Sequence, residues 1–504
     1  MPDASRRLQA VHQSDSVRAL KKSPDSRVCW WLLLGYVLAA PYLPLSGVAI
    51  SWDSVTLMDW QRLLELAVLF ACLVWAIVFA PPLRLPFSLT NCAWAALFLL
   101  GLLSALAGTG HVEFALLEWS MWLALITLVA MMRQWPVMNR DSLDRSVLVS
   151  VLIGGVAYVA WFWSLNAFSY FAPEELLFLA KEVSFPGFSN IRIFSDYQSF
   201  MLFLLPTALY RLTEKGLART LGAWLVGLYF ALALIAGSRS VIATHLVLHA
   251  MLWVLRGNRY KPFALMQLRF WAYGCLFFYF LTWILPLILP GDRRLVVSSL
   301  ARADSSLRSE LWTLAWQFIQ SHPWLGIGPM QYAAWPNGIA AHPHNLIMQF
   351  AAEWGVPATL LLIWLVWMQL SARFRILSGM STDAKDDTAF AMTCAGAALI
   401  IQSMVSGVFI YPTTQLMAVL LFAYPLNAEN QNSDKRTFTC HYIAVFALGM
   451  LVANLTTLPS IRERNHCFLN DRWPTRVFAP RFWQQGWITG VCGEGDTLFR
   501  LPRM

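Results

Sequence analysis

The chain has 504 residues, 58% of them hydrophobic and only 13% charged. A soluble domain carries roughly 25% charged residues, so repeated apolar runs of about 20 residues read as membrane-crossing helices rather than buried core. The net charge of +9 is not a nucleic-acid footprint, because the basic residues sit in short loops between apolar runs, where orientation signals belong. Lipid admits only helices or closed barrels, and these runs are too long and too uniformly apolar for barrel strands. The expected fold class is therefore all-α, a polytopic membrane protein.

Residues 1–28 are polar and basic, with Arg6, Arg7, Arg18, Lys21, Lys22 and Arg27. The apolar run behind them continues too far for a signal peptide, so they read as a cytoplasmic tail that sends the first helix outward. Candidate spans follow at 30–50, 63–79, 91–107, 114–132, 146–168, 199–212, 221–236, 241–255, 270–289, 346–370, 389–410, 414–426 and 441–458, about 12–13 in all. Residues 29–459 make up the transmembrane domain. Its main extracytoplasmic loop, 290–345, carries short helices.

With the N-terminus inside, Arg84, Arg133, Arg140, Arg145, Arg211, Lys215, Arg219, Arg256, Arg259, Lys261, Arg269, Arg373, Arg375 and Lys385 all fall in inner loops. The tail, 460–504, does not fit. An odd number of spans puts it outside, yet it holds Arg462, Arg464, Arg472, Arg476, Arg481, Arg500 and Arg503. Either a late span is miscounted or the basic tail meets an anionic partner outside, and its side stays open. Six cysteines lie in or beside apolar runs and act as small hydrophobes. Cys467 and Cys492 are in the tail and can pair only if it is extracytoplasmic.

Arg192, Arg239, Arg293, Arg294, Arg302 and Arg308 fall on the outer side or at its boundary. For one outer arginine, snorkelling or an ion pair with Glu174, Glu182, Asp292 or Asp304 is account enough. Several on converging loops suit a pyrophosphate, since each planar guanidinium can hold its oxygens bidentately.

The 302–355 interval separates strongly apolar segments and is rich in such groups. In His342-Pro343-His344-Asn345, proline favours the first helical position, so His342 is the expected N-cap and His344 sits in the first turn of a long membrane helix. The positive helix end keeps His344 neutral and able to take a proton from an attacking hydroxyl. Simple helix capping and a metal site shared with His342 remain the other readings, although no third ligand is evident nearby. Asn345, Gln349 and Glu353 continue as a polar stripe.

An amphipathic helix is expected after an N-cap at Asp304 or Ser305, ending at His322-Pro323, with Arg308 one turn in as a pyrophosphate clamp or a partner of Asp304. At Gly237-Ser238-Arg239-Ser240, glycine permits a break and Ser238 or Ser240 can cap the next helix, an anion-binding geometry. In the outer loop ending at Gln198, Arg192 is placed to contact a phosphate, and Asp196, Tyr197 and Gln198 to hydrogen-bond sugar hydroxyls. An interfacial aromatic belt is the equal alternative there.

Taken together, R-x-x-x-W at 308–312, HPWLGIGP at 322–329, HPHNLIMQ at 342–349 and AEWGVP at 352–357 resemble the signature region of the bacterial O-antigen ligase superfamily. That superfamily also holds protein O-oligosaccharyltransferases and O-antigen polymerases. GSRS at 237–240 and NIRIF at 190–194 are similar to its other motifs. The resemblance implies an inner-membrane, GT-C-like fold and metal-independent transfer, with no cofactor. The implied donor is a glycan on undecaprenyl pyrophosphate at the periplasmic face. The implied acceptor is lipid A-core, a protein Ser/Thr or a growing polysaccharide. By position, Arg239 and Arg308 would hold the pyrophosphate, supported by Arg192 and Arg302. His344, ahead of His342, would orient or deprotonate the acceptor, with Gln198, Asn345 and Tyr197 lining the site. The extra C-terminal span and cysteine-bearing tail depart from the simplest family pattern.

A lipid-linked sugar transporter is the reading from another class. It predicts internal repeats and charges at the bilayer midplane, whereas here the charges gather at the outer boundary. The chain has no P-loop, which disfavours an ATP-driven reaction.

Overall fold

The computed structural model describes residues 27–46, 57–79, 84–86, 88–134, 140–171, 185–288, 307–335, 339–379, 385–426, 437–439 and 441–454. The tails, Arg293, Arg294, Arg302, Asp304, Ser305, Glu174, Glu182, Cys467 and Cys492 lie outside them. The apolar runs become helices in order: α1 (Arg27–Ala39), α2 (Leu57–Phe79), α3 (Leu89–Ala107), α4 (Val112–Gln134), α5 (Arg140–Phe171), α6 (Ile191–Leu212), α7 (Leu217–Ile235), α8 (Arg239–Arg256) and α9 (Lys261–Tyr279). There follow α10 (Arg308–Ser321), α11 (Gln331–Ala334), α12 (Leu346–Glu353), α13 (Val356–Gly379), α14 (Lys385–Gln402), α15 (Pro412–Ala423) and α16 (His441–Asn454). A single short ladder is seen among the described residues, β1 (Arg84–Pro86) antiparallel to β2 (Thr437–Thr439), with Leu85 opposite Phe438.

Seven of the described helices are long and apolar enough to cross a membrane, and four more are apolar but shorter. The protein is an all-α, polytopic membrane protein.

The axis of the bundle is α6, in which every residue from Ile193 to Leu209 is buried. Helices α5, α7, α8 and α14 pack on it. Buried Ala389, Ala391, Ala395, Ala397 and Ala398 let α14 approach closely, because small side chains bring helix backbones together where no hydrophobic force drives helices out of lipid. A second, smaller core of Leu311, Ala315, Phe318, Ile319, Ile327, Tyr332 and Ala352 seats the amphipathic α10.

Three of the helix boundaries that differ from the sequence expectation bear on the candidate site. The span expected at 199–212 begins at Ile191, because Asn190 caps it by accepting from the Arg192 amide at 2.8 Å. The helix expected over 389–410 stops at Gln402, and Ser403 to Tyr411 run as turns. The single helix expected over 346–370 is two, α12 and α13, parted at Trp354-Gly355.

The last break has a steric cause. Gly355 has φ +85°, and a Cβ there would lie 2.3 Å from the Trp324 carbonyl oxygen. The 322–328 turn and the 352–356 turn are zipped backbone to backbone: Ile327 N donates to Ala352 O at 2.9 Å, Gly328 N to Glu353 O at 3.0 Å and Val356 N to Pro323 O at 2.8 Å. The Glu353 carboxylate accepts from Tyr332 N at 3.0 Å, so this buried acid serves as a brace. Gly355→Ala is expected to destabilise the protein by about 1–3 kcal/mol, seen as a lower thermal midpoint in detergent. Gly35→Ala, where nothing lies within 4 Å of the added Cβ, is expected to be neutral, and equal losses for the two would refute the packing argument.

Candidate active site

Four helix starts carry the candidate groups. Arg192 is the second residue of α6, Arg239 the first of α8 and Arg308 the first of α10, and His344 precedes the cap of α12. Gly237, at φ +60°, turns the chain into α8. Ser238 stands at the N-cap without a side-chain capping bond, and the Ser240 hydroxyl accepts from Gln402 instead, so neither serine caps as expected. The cap position of α10 is Leu307, left-handed at φ +59°.

The histidine segment departs from expectation. The N-cap of α12 is Asn345, whose side chain accepts from Met348 N at 2.9 Å, and not His342. His344 lies outside the helix in the left-handed region, φ +53°, a conformation uncommon for a residue with a side chain. Its backbone N–H donates to His342 Nδ1 at 3.1 Å, and the two rings meet edge to face with centroids 4.1 Å apart. His342 is thus the brace that shapes the turn. A Cβ at Gly407 would come within 2.4 Å of its ring, so glycine is what admits it.

The charged groups converge. The arginine at 308 is half-buried, and its Nε is enclosed with no hydrogen-bond partner among the described residues. Burial, then Arg192, then Arg239 hold its pKa below the usual guanidinium value, with Asp196 opposing them. His344 is only 6% exposed, and its Nδ1 has no partner among the described residues. Burial, followed by Arg192 and Arg308, pulls its pKa down to about 3. Three guanidiniums and a neutral imidazole therefore act on one another within one region. Arginine does not deprotonate in proteins, so the mutual repulsion, which Asp196 opposes at Arg308, favours a bound anion.

Hydrogen bonds tie these helix starts together. Trp312 Nε1 donates to Pro343 O at 2.9 Å, which joins the helix of Arg308 to the loop of His344. The four-residue spacing of Arg308 and Trp312 puts both on one face of α10. Asn345 Nδ2 donates to Met404 O at 3.0 Å, and Leu346 N to Ser403 O at 2.9 Å. In the turn after α14, Gln402 Nε2 donates to Asp196 Oδ1 at 2.9 Å and to Ser240 Oγ at 3.0 Å, while Thr244 Oγ1 donates to Gln402 Oε1 at 2.8 Å. Ser406 Oγ donates to Asp196 Oδ2 at 2.7 Å. The far end of the turn is held by buried Arg62, which bonds Glu65, Gln415 and the Ile410 carbonyl.

Other expected site residues are placed elsewhere. Gln198 is fully buried, and its amide donates to Tyr229 O at 2.9 Å. Tyr197 is buried too, its hydroxyl 3.5 Å from Val37 O. Both lie in the helix packing of α6 and not among the sugar-facing groups first expected, because α6 starts early and carries them into the core. The side chain of Asn345 is occupied by capping and by Met404. Arg302 lies outside the described residues. Reading the sequence missed Gln402 and Ser406. The available signal was a run of polar residues, Gln402-Ser403 and Ser406, inside an otherwise apolar span.

The O-antigen ligase family model (Wzy_C) matches residues 224–363, which include Arg239, Arg308, His342 and His344. Arg192 and Asp196 precede the match, and Gln402 follows it. No curated protein matches the chain. Over this matched segment the chain is similar to the O-antigen ligase family.

Proposed function

We propose that this membrane enzyme transfers a glycan from undecaprenyl pyrophosphate to an acceptor hydroxyl, that of lipid A-core, at the periplasmic face of the inner membrane. The observation that carries the reading is Arg308, which acts with Arg192 and Arg239 beside the neutral His344 and has a buried Nε without a partner among the described residues. A buried donor without an acceptor, among like charges, suits an anionic ligand. A diphosphate meets the helix starts at 192, 239 and 308, where backbone dipoles and guanidiniums both favour it. The distribution of inner-loop arginines and lysines supports placing this end outside the cytoplasm.

The chemistry follows. The acceptor oxygen attacks the anomeric carbon while the bond from that carbon to the pyrophosphate oxygen breaks. The leaving pyrophosphate takes the electron pair, and the three guanidiniums stabilise its growing charge; no metal ion is assigned this task. The hydroxyl proton passes to His344. In the free protein this imidazole is a weak base, chiefly through burial and then through Arg192 and Arg308, and a bound diphosphate offsets the guanidinium charge and so raises its basicity. The donor thus prepares its own base.

His344→Ala and Arg239→Ala are each expected to lower transfer by about 10²–10⁴-fold with unchanged insertion, read as loss of the lipopolysaccharide ladder in a complemented deletion strain. Wild-type ladders from both would remove the reading. An intact ladder with a glycan missing from a pilin would move the acceptor to protein. A second expectation concerns pH. The His344 pKa lies near 3 in the folded protein against 6.5 ordinarily, so the imidazole stays neutral down to acid pH. As pH falls from 6.5 toward 3, only the unfolded chain gains this proton, so stability is lost over that window. The kcat/KM of the free enzyme should therefore be flat from pH 5 to 8, and an inflection near 6.5 that His344→Gln abolishes would contradict the burial argument.

A further inference from the structure

We infer that Gln402 is a positioning residue, whose side-chain amide sets the spacing of Arg192 and Arg239 and, through the turn it begins, the place of His344. The inference rests on the glycan-transfer reading and deepens it. Gln402 and Asp196 are both fully buried, at 0% exposure. The amide is saturated: its nitrogen serves Asp196 and Ser240, and its oxygen takes Thr244. Its orientation is forced, because flipping it would set a carbonyl against the Asp196 carboxylate. Both oxygens of that carboxylate are in turn occupied, by Gln402 and Ser406.

Each partner is next to a candidate site group. Asp196 is one helical turn beyond Arg192, and Ser240 directly follows Arg239. The two residues after Gln402 are Ser403 and Met404, whose carbonyls receive Leu346 N and Asn345 Nδ2, immediately after His344. The amide therefore joins α6 and α8, and the backbone that follows it receives the histidine loop. Losing it leaves a carboxylate and two hydroxyls short of a partner in the interior, and they relax by moving the helix starts.

The test uses purified, full-length protein with a lipid-linked pyrophosphate glycan donor. Gln402→Leu is expected to insert normally and to lower kcat/KM by about 10²-fold, since a shift of roughly 1 Å at the reacting groups suffices. In an Arg239→Lys background, whose transfer is already reduced, the same change should cost clearly less, because the head it aligns is altered. Gln402→Glu alone sets two carboxylates face to face and should be at least as poor as Gln402→Leu. Combining Gln402→Glu with Asp196→Asn can restore every bond, with donor and acceptor exchanged between residues 402 and 196 and between 402 and Ser240 while Thr244 and Ser406 still donate, and should recover activity to within about tenfold of wild type. A passive brace would give additive losses and no recovery. Wild-type kcat and donor KM in Gln402→Leu overturn the inference, and so does a swapped pair no better than Gln402→Glu alone. If Gln402→Leu fails to fold, Thr244→Val removes one bond from the same amide and should lower kcat by about tenfold, and its failure to do so also overturns the inference. Arg239→Ala and His344→Ala separate the two layers. If they lose transfer while Gln402→Leu does not, only the positioning role falls; if they retain it, the transfer reading falls.

Discussion

Guanidiniums repel one another, and a protein that gathers three of them must hold them by something other than their own charges. Here the restraint is the backbone. Arg192, Arg239 and Arg308 are each fixed at a helix start, and the helices behind them are locked by packing in the bundle or, for α10, in its own small core. The helix starts add their own positive ends to the same region. The guanidiniums repel one another, with Asp196 partly offsetting them at Arg308, and Arg192 and Arg308 add to the burial that lowers the pKa of His344. Such pre-arranged charge is useful for catalysis because it needs no reorganisation as charge develops on a leaving group.

The broken helices serve the same end. A membrane protein cannot leave backbone groups unpaired, so interruptions survive only where freed groups find partners. The turn after Gln402 and the loop before Leu346 answer each other directly, Ser403 O with Leu346 N and Met404 O with Asn345 Nδ2. The 322–328 and 352–356 turns do the same through paired amides and carbonyls. Both pairs of breaks lie in segments that carry or support the candidate groups.

Much of this was legible in the residues. Apolar run lengths indicated a polytopic helical bundle, and proline and glycine marked the turns at 237 and 322–329, though not the break at Gly355. Outer-boundary arginines and the paired histidines named most of the charged cluster. Their burial states and hydrogen bonds were not legible. Gln198 and Tyr197 looked like lining residues because Asn190 was not recognised as a cap, and α6 begins two turns sooner than hydropathy suggests. His342 looked like the helix cap, yet Asn345 takes the cap, and His342 shapes the left-handed turn instead.

Composition and hydropathy determined the class of molecule, since transfer of apolar residues into lipid depends on each residue's chemistry more than on its neighbours. Motif spacing likewise placed Arg308 and Trp312 on one face, as helical periodicity is local. What the tertiary structure alone decided is which distant polar groups meet. Asp196, the pair Ser240 and Thr244, and the pair Gln402 and Ser406 come from three separated segments of the chain, and none of the segments names the others. Only the packing of α6, α8 and α14 brings them within hydrogen-bonding distance, because a buried polar group takes whatever partner the fold delivers and its sequence neighbours do not name that partner.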